Sequence, residues 1–258
     1  MLHTKPSPQL ISTLAPTGRL RASINLGNPI LASRSQDGHT TEGVSVDLAV
    51  ALAEWLSLPL DLVVVESAGQ SVVNVDQGVA DFGFFAVDPA RAATLLFTEP
   101  YLLIQGAYLV RDESPLKSAK DVDSKGTTVC VGKGSAYDLF LSRSLTQAQI
   151  VRADTSPAVV DTFLERGIDV AAGVRQQLEY DLGRLKLPLR LLPENFMTIG
   201  QAMATHKNRG TEVQQLMAAF IAEKKRNGFV RQALMAHRID GAVVAPHVAS
   251  STTYSETP

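Results

Sequence analysis

The chain has little of the chemistry that defines several large functional classes. Of its 258 residues only Cys130 is a cysteine, which excludes a disulfide framework, a zinc ribbon and a CxxC redox pair. The 24 basic and 26 acidic residues give a net charge of −2 with no basic tract, so nucleic-acid binding, which needs a cationic surface, is disfavoured. No apolar run approaches the ~20 residues that cross a bilayer, and we therefore expect no membrane span.

Residues 1–21 also lack the pattern of a secretory signal. Such a signal has a basic start followed by about 7–15 apolar residues, whereas prolines and several Ser and Thr residues interrupt this stretch. If Met1 is the native start, we expect a cytoplasmic protein. If a leader has been trimmed away, we expect a periplasmic one.

From residue 20 onward, short apolar runs alternate with helical patterns. This alternation is typical of an α/β fold with a mainly parallel sheet. Ser45 fits the N-cap of the first of these helices. The first series predicts strands at 20–26, 60–65, 81–87 and 101–110, and helices at 46–56 and 67–77.

A charged stretch at 112–125 separates this series from a second one of similar design. Asp81 and Asp169 each follow a helix-ending glycine and precede a strand, an internal echo that suggests two related lobes. Residues 242–258 are rich in Ala, Ser and Thr and are expected to form a loose tail. The second series predicts strands at 127–131, 150–152, 168–173, 189–192 and 200–205, and helices at 135–144, 158–166, 174–185, 211–227 and 229–237.

The motifs of common enzymes are missing. The glycines around Lys133 match neither a phosphate-binding loop nor a dinucleotide fingerprint, and Ser135 does not lie in a nucleophile elbow. The five histidines have no metal-ligand spacing. The sequence therefore gives no support for an enzyme, a metal site or a cofactor.

Two segments have the chemistry of anion sites. Arg91 follows an apolar strand and Asp88-Pro89, where its guanidinium could grip a carboxylate, although a surface arginine paired with Asp88 fits the spacing equally. Between a later strand and helix, Gly134 and Ser135 could present backbone amides and a hydroxyl to an anion, although a plain helix N-cap accounts for the same residues.

These segments, taken in order, resemble family 3 solute-binding proteins, the receptors of amino-acid ABC transporters, whose fold is shared by ligand-gated receptors and a few dehydratases. The resemblance extends over about residues 20–239. It is carried by Gly43-Val44-Ser45-Val46-Asp47-Leu48-Ala49, Gly78 to Asp81, Asp88-Pro89-Ala90-Arg91, Phe97-Thr98-Glu99-Pro100-Tyr101, Gly132 to Ser135, Gly167-Ile168-Asp169 and Gly200-Gln201-Ala202-Met203.

The resemblance implies an α/β fold of two lobes that close on a ligand like a Venus flytrap. Two hinge crossovers would lie near 101–105 and 195–198. Lobe 1 would comprise residues 1–104 and 198–258, and lobe 2 residues 105–197.

The resemblance also implies the roles of individual residues. Arg91 matches the arginine that binds the ligand carboxylate, and Ser135, after Gly134, matches the residue that contacts this carboxylate from lobe 2. Phe85 and Ala86 fall on the segment that lines the pocket floor. Asn28 and Tyr137 are candidate side walls.

Two departures from the family pattern bear on the ligand. Asp88 replaces the usual threonine, so it could neutralise Arg91 or receive a ligand ammonium. Amino-acid binders usually carry an aspartate near the position of Val174, and this chain has none there. Either Asp88 takes that role or the ligand lacks an α-amino group, with Arg175, Gln176 and Gln177 available for further polar contacts.

We therefore predict a binding protein, not an enzyme, that captures a small carboxylate-bearing ligand by hinge closure. One alternative is a dehydratase on the same fold that acts on a cyclic carboxylic acid with Asp88 as general acid. Another is a cytoplasmic ligand-sensing or regulatory protein. The expected partners are the small ligand and either an ABC transporter permease or an unknown cytoplasmic protein, and the chain is expected to be a monomer.

Overall fold

The computed structural model describes residues 5–35 and 37–246. It contains eight helices and thirteen strands in that part of the chain. The helices are α1 (Pro8–Leu14), α2 (Val44–Leu56), α3 (Ala68–Asp76), α4 (Ala136–Ser144), α5 (Val159–Glu165), α6 (Arg175–Leu185), α7 (Thr211–Arg226) and α8 (Phe229–Ala236). The strands are β1 (Leu20–Asn25), β2 (Ser33–Arg34), β3 (Thr41–Glu42), β4 (Leu60–Val65), β5 (Phe82–Ala86), β6 (Leu95–Phe97), β7 (Leu102–Arg111), β8 (Thr128–Gly132), β9 (Gln149–Ala153), β10 (Val170–Val174), β11 (Leu189–Leu191), β12 (Met197–His206) and β13 (Val243–Val244).

The two-lobed α/β fold with two crossover strands is confirmed. Lobe 1 is built on the parallel strands β4, β1 and β5, and lobe 2 on the parallel strands β10, β8 and β9. Between them run β12 and β7, an antiparallel pair that joins the strands into the order β4-β1-β5-β12-β7-β10-β8-β9. The lobe boundaries at 104/105 and 197/198 stay a prediction.

Small residues let the crossover strands pass beneath the lobes. A Cβ atom at Gly106 in β7 would lie 2.7 Å from the Tyr137 ring and 2.9 Å from the Phe196 ring. A Cβ atom at Gly200 in β12 would lie 2.6 Å from the Pro100 ring. Because side chains at either position would collide with rings already packed there, glycine is required at both.

Most predicted elements are present, but the short strands β2, β3 and β6 were not predicted, and several other details differ. Helix α2 begins after Gly43, so the predicted capping role of Ser45 is wrong; Ser45 is buried in the helix and its hydroxyl lies 3.3 Å from the Tyr101 hydroxyl. Helix α1 was not predicted, although Ser7 caps it and Pro8 follows at its first turn, both signals of a helix start. The segment after Asp88 forms only a single 3₁₀ turn, Arg91–Ala93. In the predicted tail, β13 pairs with β7, and residues 247–258 lie outside the described part of the chain.

The core of each lobe follows from strand alternation. In β7, Ala107 and Leu109 face one apolar cluster of lobe 2 while Tyr108 and Val110 face another on the opposite side of the sheet. In lobe 1 a larger cluster joins β1 and β5 to the apolar faces of α2, α7 and α8. Helices on both faces therefore bury the strands, as a parallel sheet requires.

The internal echo has a common structural cause in the two lobes. The Asp81 carboxylate accepts a hydrogen bond from the backbone N–H of Arg21 at 2.9 Å, and the Asp169 carboxylate accepts one from the backbone N–H of Thr128 at 2.9 Å. Each aspartate thus ties the start of its own strand to the start of the neighbouring parallel strand. Asp81 also pairs with the guanidinium groups of Arg21 and Arg209, and its side chain is fully buried.

We expect Asp81→Asn to lower the free energy of unfolding by about 3 kcal/mol, because two arginines would lose their buried anionic partner. Urea unfolding followed by circular dichroism measures this. The matched control is Asp61→Asn, which breaks the exposed pair with Arg19 and should have a much smaller effect. Equal losses in the two variants would contradict the assigned role of Asp81.

Candidate functional site

A cavity of about 40 Å³ lies where the two lobes meet. Lobe 1, lobe 2 and the crossover strand β12 all contribute to its wall. The lining residues are Asn25, Gly27, Asn28, Leu31, Ala68, Phe84, Phe85, Ala86, Arg91, Ser135, Ala136, Tyr137, Ser156, Val174, Ile199 and Gln201. Among them are six of the eleven residues named as site candidates in the sequence analysis, namely Asn28, Phe85, Ala86, Arg91, Ser135 and Tyr137.

Arg91 is the one ionisable side chain in this wall that is charged at neutral pH. It lies on the 3₁₀ turn after β5, and only 5% of its surface is exposed. One terminal nitrogen donates to the Ala86 carbonyl at 3.3 Å, and the other crosses to lobe 2 and donates to the Gly134 carbonyl at 3.1 Å. Burial lowers the pKa of the Arg91 guanidinium to about 10, partly opposed by Asp88, so the group stays a cation at neutral pH.

Ser135 faces Arg91 across the cavity at the start of α4. Its side-chain oxygen caps the helix by accepting from the Asp138 backbone N–H at 3.1 Å, and its own hydroxyl proton remains free to be donated. Gly134, with φ of +69°, adopts the left-handed conformation and donates its N–H to the Asp138 carboxylate at 2.9 Å. The capping role and a ligand-binding role are therefore compatible at Ser135, whereas Gly134 contributes its carbonyl to Arg91.

Asp88 does not line the cavity. Its buried carboxylate receives two hydrogen bonds from the Arg143 guanidinium of α4, at 2.6 and 3.4 Å, and one from the Ala90 backbone N–H at 2.8 Å. Since Arg143 belongs to lobe 2, this ion pair bridges the lobes beside the cavity. A ligand ammonium would have to displace Arg143 to reach Asp88.

Arg175 and Gln176 are also outside the cavity. Arg175 donates to the Asn195 side chain at 2.6 Å and to the Pro193 carbonyl at 3.4 Å. These bonds connect α6 to the segment that precedes β12. Gln176 packs against Gly241, where a Cβ atom would lie 2.3 Å from its amide nitrogen. Gln177 lines a second, adjoining cavity, which shares Tyr137, Ser156 and Val174 with the first, and it bonds to Asp181.

The sequence analysis missed Gln201 and Ser156 as site residues. Gln201, in β12, is 4% exposed, and its side-chain amide has no hydrogen bond to another residue within 5–35 and 37–246. The signal was its position: a polar side chain in an otherwise apolar strand predicted at 200–205. Ser156 follows β9 and touches Gly132, and only the pairing of β8 with β9 brings it to the cavity.

No carboxylate, histidine or cysteine is among the lining residues. Within the described residues there is no group of three or more His, Cys, Asp or Glu side chains that could hold a metal ion. Cys130 is buried away from the cavity, and burial raises the pKa of its thiol to about 11.

Two lobes joined by crossover strands, with a buried cation in a small cavity between them, define a protein of the two-lobed solute-binding class. The sequence model of the bacterial extracellular solute-binding proteins, family 3, matches residues 20–236, and the chain belongs to this family. No curated protein sequence gives a significant match.

Solved structures with the same fold include several amino-acid receptors. A solute receptor for L-cysteine of Neisseria gonorrhoeae has a TM-score of 0.76 at 20% identity, covering 88% of this chain and 92% of that one. AbpA of Streptococcus pneumoniae, an ABC transporter substrate-binding protein bound to L-arginine, has a TM-score of 0.75 at 18% identity, covering 88% and 97%. An ancestral amino-acid-binding protein, a precursor of cyclohexadienyl dehydratase, has a TM-score of 0.73 at 17% identity, covering 88% and 98%.

The family name describes extracellular proteins. Within the described part of the chain, no helix combines the length and apolar character that a membrane span requires. The expected choice between cytoplasm and periplasm stays a prediction.

The unpartnered amide of Gln201 leads to a stability prediction. Gln201→Leu should raise the free energy of unfolding of the ligand-free protein by up to about 1 kcal/mol, because a buried amide without a protein partner is replaced by an apolar group of similar size. Urea unfolding gives the value.

The matched control is Gln214→Leu. Gln214 donates to the Phe97 carbonyl at 2.6 Å, so its replacement should destabilise the protein by about 1 kcal/mol. A loss of stability in Gln201→Leu as large as in the control would mean that the Gln201 amide has a partner in the ligand-free protein.

Proposed function

We propose that this protein captures a small carboxylate-bearing solute in the cavity between its lobes. The observation that carries the proposal is the buried guanidinium of Arg91. Of its five N–H donors, two bond to the carbonyls of Ala86 and Gly134, and the other three have no bond to a described residue. A guanidinium presents a planar fork of donors that matches a carboxylate, and a buried cation requires an anionic partner.

Capture would occur by closure of the lobes. Arg91 belongs to lobe 1, while Ser135, whose hydroxyl can donate to a carboxylate, belongs to lobe 2, so the carboxylate contacts are complete only when the lobes meet. A ligand bound in this way favours the closed state by its difference in affinity for the closed and open states.

The pair of Asp88 with Arg143 would help to hold the lobes together. Asp88 is almost fully buried and the Arg143 side chain is about half exposed, at 46%. Because solvent screens the exposed partner, its contribution is about 1 kcal/mol, enough to bias the lobes without locking them. Ligand binding would supply the rest of the closing energy.

The relatives support a receptor rather than a catalyst. Two of the similar structures are an amino-acid receptor and an ABC transporter substrate-binding protein. By analogy, an ABC transporter permease is the proposed partner; a cytoplasmic regulatory role stays an alternative prediction.

The dehydratase alternative lacks its acid. Although one fold relative is a precursor of a dehydratase, the general acid proposed here, Asp88, lies outside the cavity and is bonded to Arg143. The geometry therefore favours binding over dehydration.

The anchor role of Arg91 can be tested by calorimetry with small carboxylates selected from a thermal-shift panel of amino, hydroxy and oxo acids. Arg91→Met should weaken the binding of any selected acid by about 2–5 kcal/mol, because the carboxylate would lose its charged partner. Arg91→Lys, which keeps the charge but not the planar fork, should be intermediate. Unchanged affinity in Arg91→Met would refute the proposed carboxylate anchor.

The role of the cross-lobe ion pair can be tested by small-angle scattering of the ligand-free protein. Arg143→Met should increase the radius of gyration, because loss of the ion pair makes the closed state less stable relative to the open state by about 1 kcal/mol. Arg152→Met is the matched control: Arg152 pairs with Asp138 inside lobe 2, and the two pairs have nearly equal exposures, 45% and 8% against 46% and 6%. An equal change in both variants would argue against a bridging role of Arg143.

A further inference from the structure

The charges around the cavity do not suit a zwitterion. Arg91 is the only charged side chain in the wall, and its nearest acid, Asp88, is already bonded to Arg143. Arg91, Arg143 and Asp88 together carry a net charge of +1, which one ligand carboxylate would balance. An α-amino acid would add an ammonium for which the wall offers no anionic partner.

The position opposite the expected carboxylate is apolar at the start of α6. Val174 lines the cavity, is 6% exposed, and occupies the N-cap of that helix without a side-chain cap. An aspartate or asparagine would be accommodated there, because both are favoured N-cap residues. The chain carries neither, so this wall supplies no acid.

The remaining polar groups in the wall are neutral. Gln201 lines the cavity and is 4% exposed, and its side-chain amide has no hydrogen bond to another described residue. The side chain of Ser156 also lines it without such a bond. An amide can donate to an oxo group or accept from a hydroxyl, but it cannot neutralise an ammonium.

We infer that the ligand is a small monocarboxylate whose second polar group is a neutral hydroxyl or oxo group that bonds to Gln201. This inference rests on the proposed function, since it concerns the same site. The cavity volume of about 40 Å³ is a few times the ~10–15 Å³ that one water requires, which favours a ligand of few heavy atoms. The site would bind 2-hydroxy or 2-oxo acids and reject the amino acids of equal size.

The test is calorimetry on the full chain with two size-matched series. The first is L-lactate, pyruvate and L-alanine; the second is 2-hydroxybutyrate, 2-oxobutyrate and 2-aminobutyrate. In each series the hydroxy or oxo acid should bind at least about 100-fold more tightly than the amino acid, because an unpaired buried ammonium is strongly unfavourable. Acetate, which lacks the second polar group, should bind about tenfold more weakly than lactate, and Gln201→Leu should bring lactate to the acetate level.

Two variants test the charge argument directly. Val174→Asp should raise the affinity for L-alanine by at least about tenfold, whereas Val174→Asn, of the same size and capping ability, should not. If Val174→Asp gains no alanine affinity over Val174→Asn, the inference is wrong.

The outcomes separate the two proposals. If L-alanine binds the unaltered protein as tightly as L-lactate and Arg91→Met abolishes that binding, the proposed function stands and the inference about the ligand falls. If affinity for the acids is the same in Arg91→Met, the proposed function falls as well. If acetate and lactate bind equally, the role of Gln201 is refuted. If none of the six acids binds, the inference about the ligand is contradicted, and the proposed function is contradicted as well if no acid of the thermal-shift panel binds.

Discussion

One buried cation, Arg91, connects the two lobes at their interface. Arg91 is brought from the end of β5 to the lobe interface, where it bonds to a carbonyl of its own lobe and to one of the other lobe. Burial of a guanidinium is unfavourable, as its lowered pKa of about 10 indicates. Such a group persists where a partner anion compensates for it, and under the proposed function the ligand in the cavity supplies that anion.

The other charged groups at the lobe interface are paired within the described part of the protein. Asp88 pairs with Arg143, and Asp138 pairs with Arg152 while accepting the N–H of Gly134. These pairs fix the loop before α4 and leave Arg91 as the unbalanced charge. The contrast between paired and unpaired groups separates the residues that hold the lobes from those available to a ligand.

Most of the fold could be predicted from the sequence because it is encoded locally. Alternating strand and helix patterns predict the two βα series, and the glycine-aspartate echo corresponds to equivalent hydrogen bonds of Asp81 and Asp169. The start of α2 could not be predicted correctly: Ser45 has the chemistry of a cap, but contact with Tyr101, more than fifty residues away, places it inside the helix. Local capping preferences are overridden when burial of a distant partner is more favourable.

The sequence by itself determined the fold class, the family resemblance and the candidate anion anchor, because these depend on residue patterns over short spans. Only the tertiary structure decided which polar groups face the cavity. Asp88 is adjacent to Arg91 in the chain yet bonds to Arg143, while Gln201 and Ser156 reach the cavity from distant strands. The reason is that hydrogen-bond partners across the lobes are set by how β7 and β12 bring the lobes together, and this pairing joins residues more than fifty positions apart.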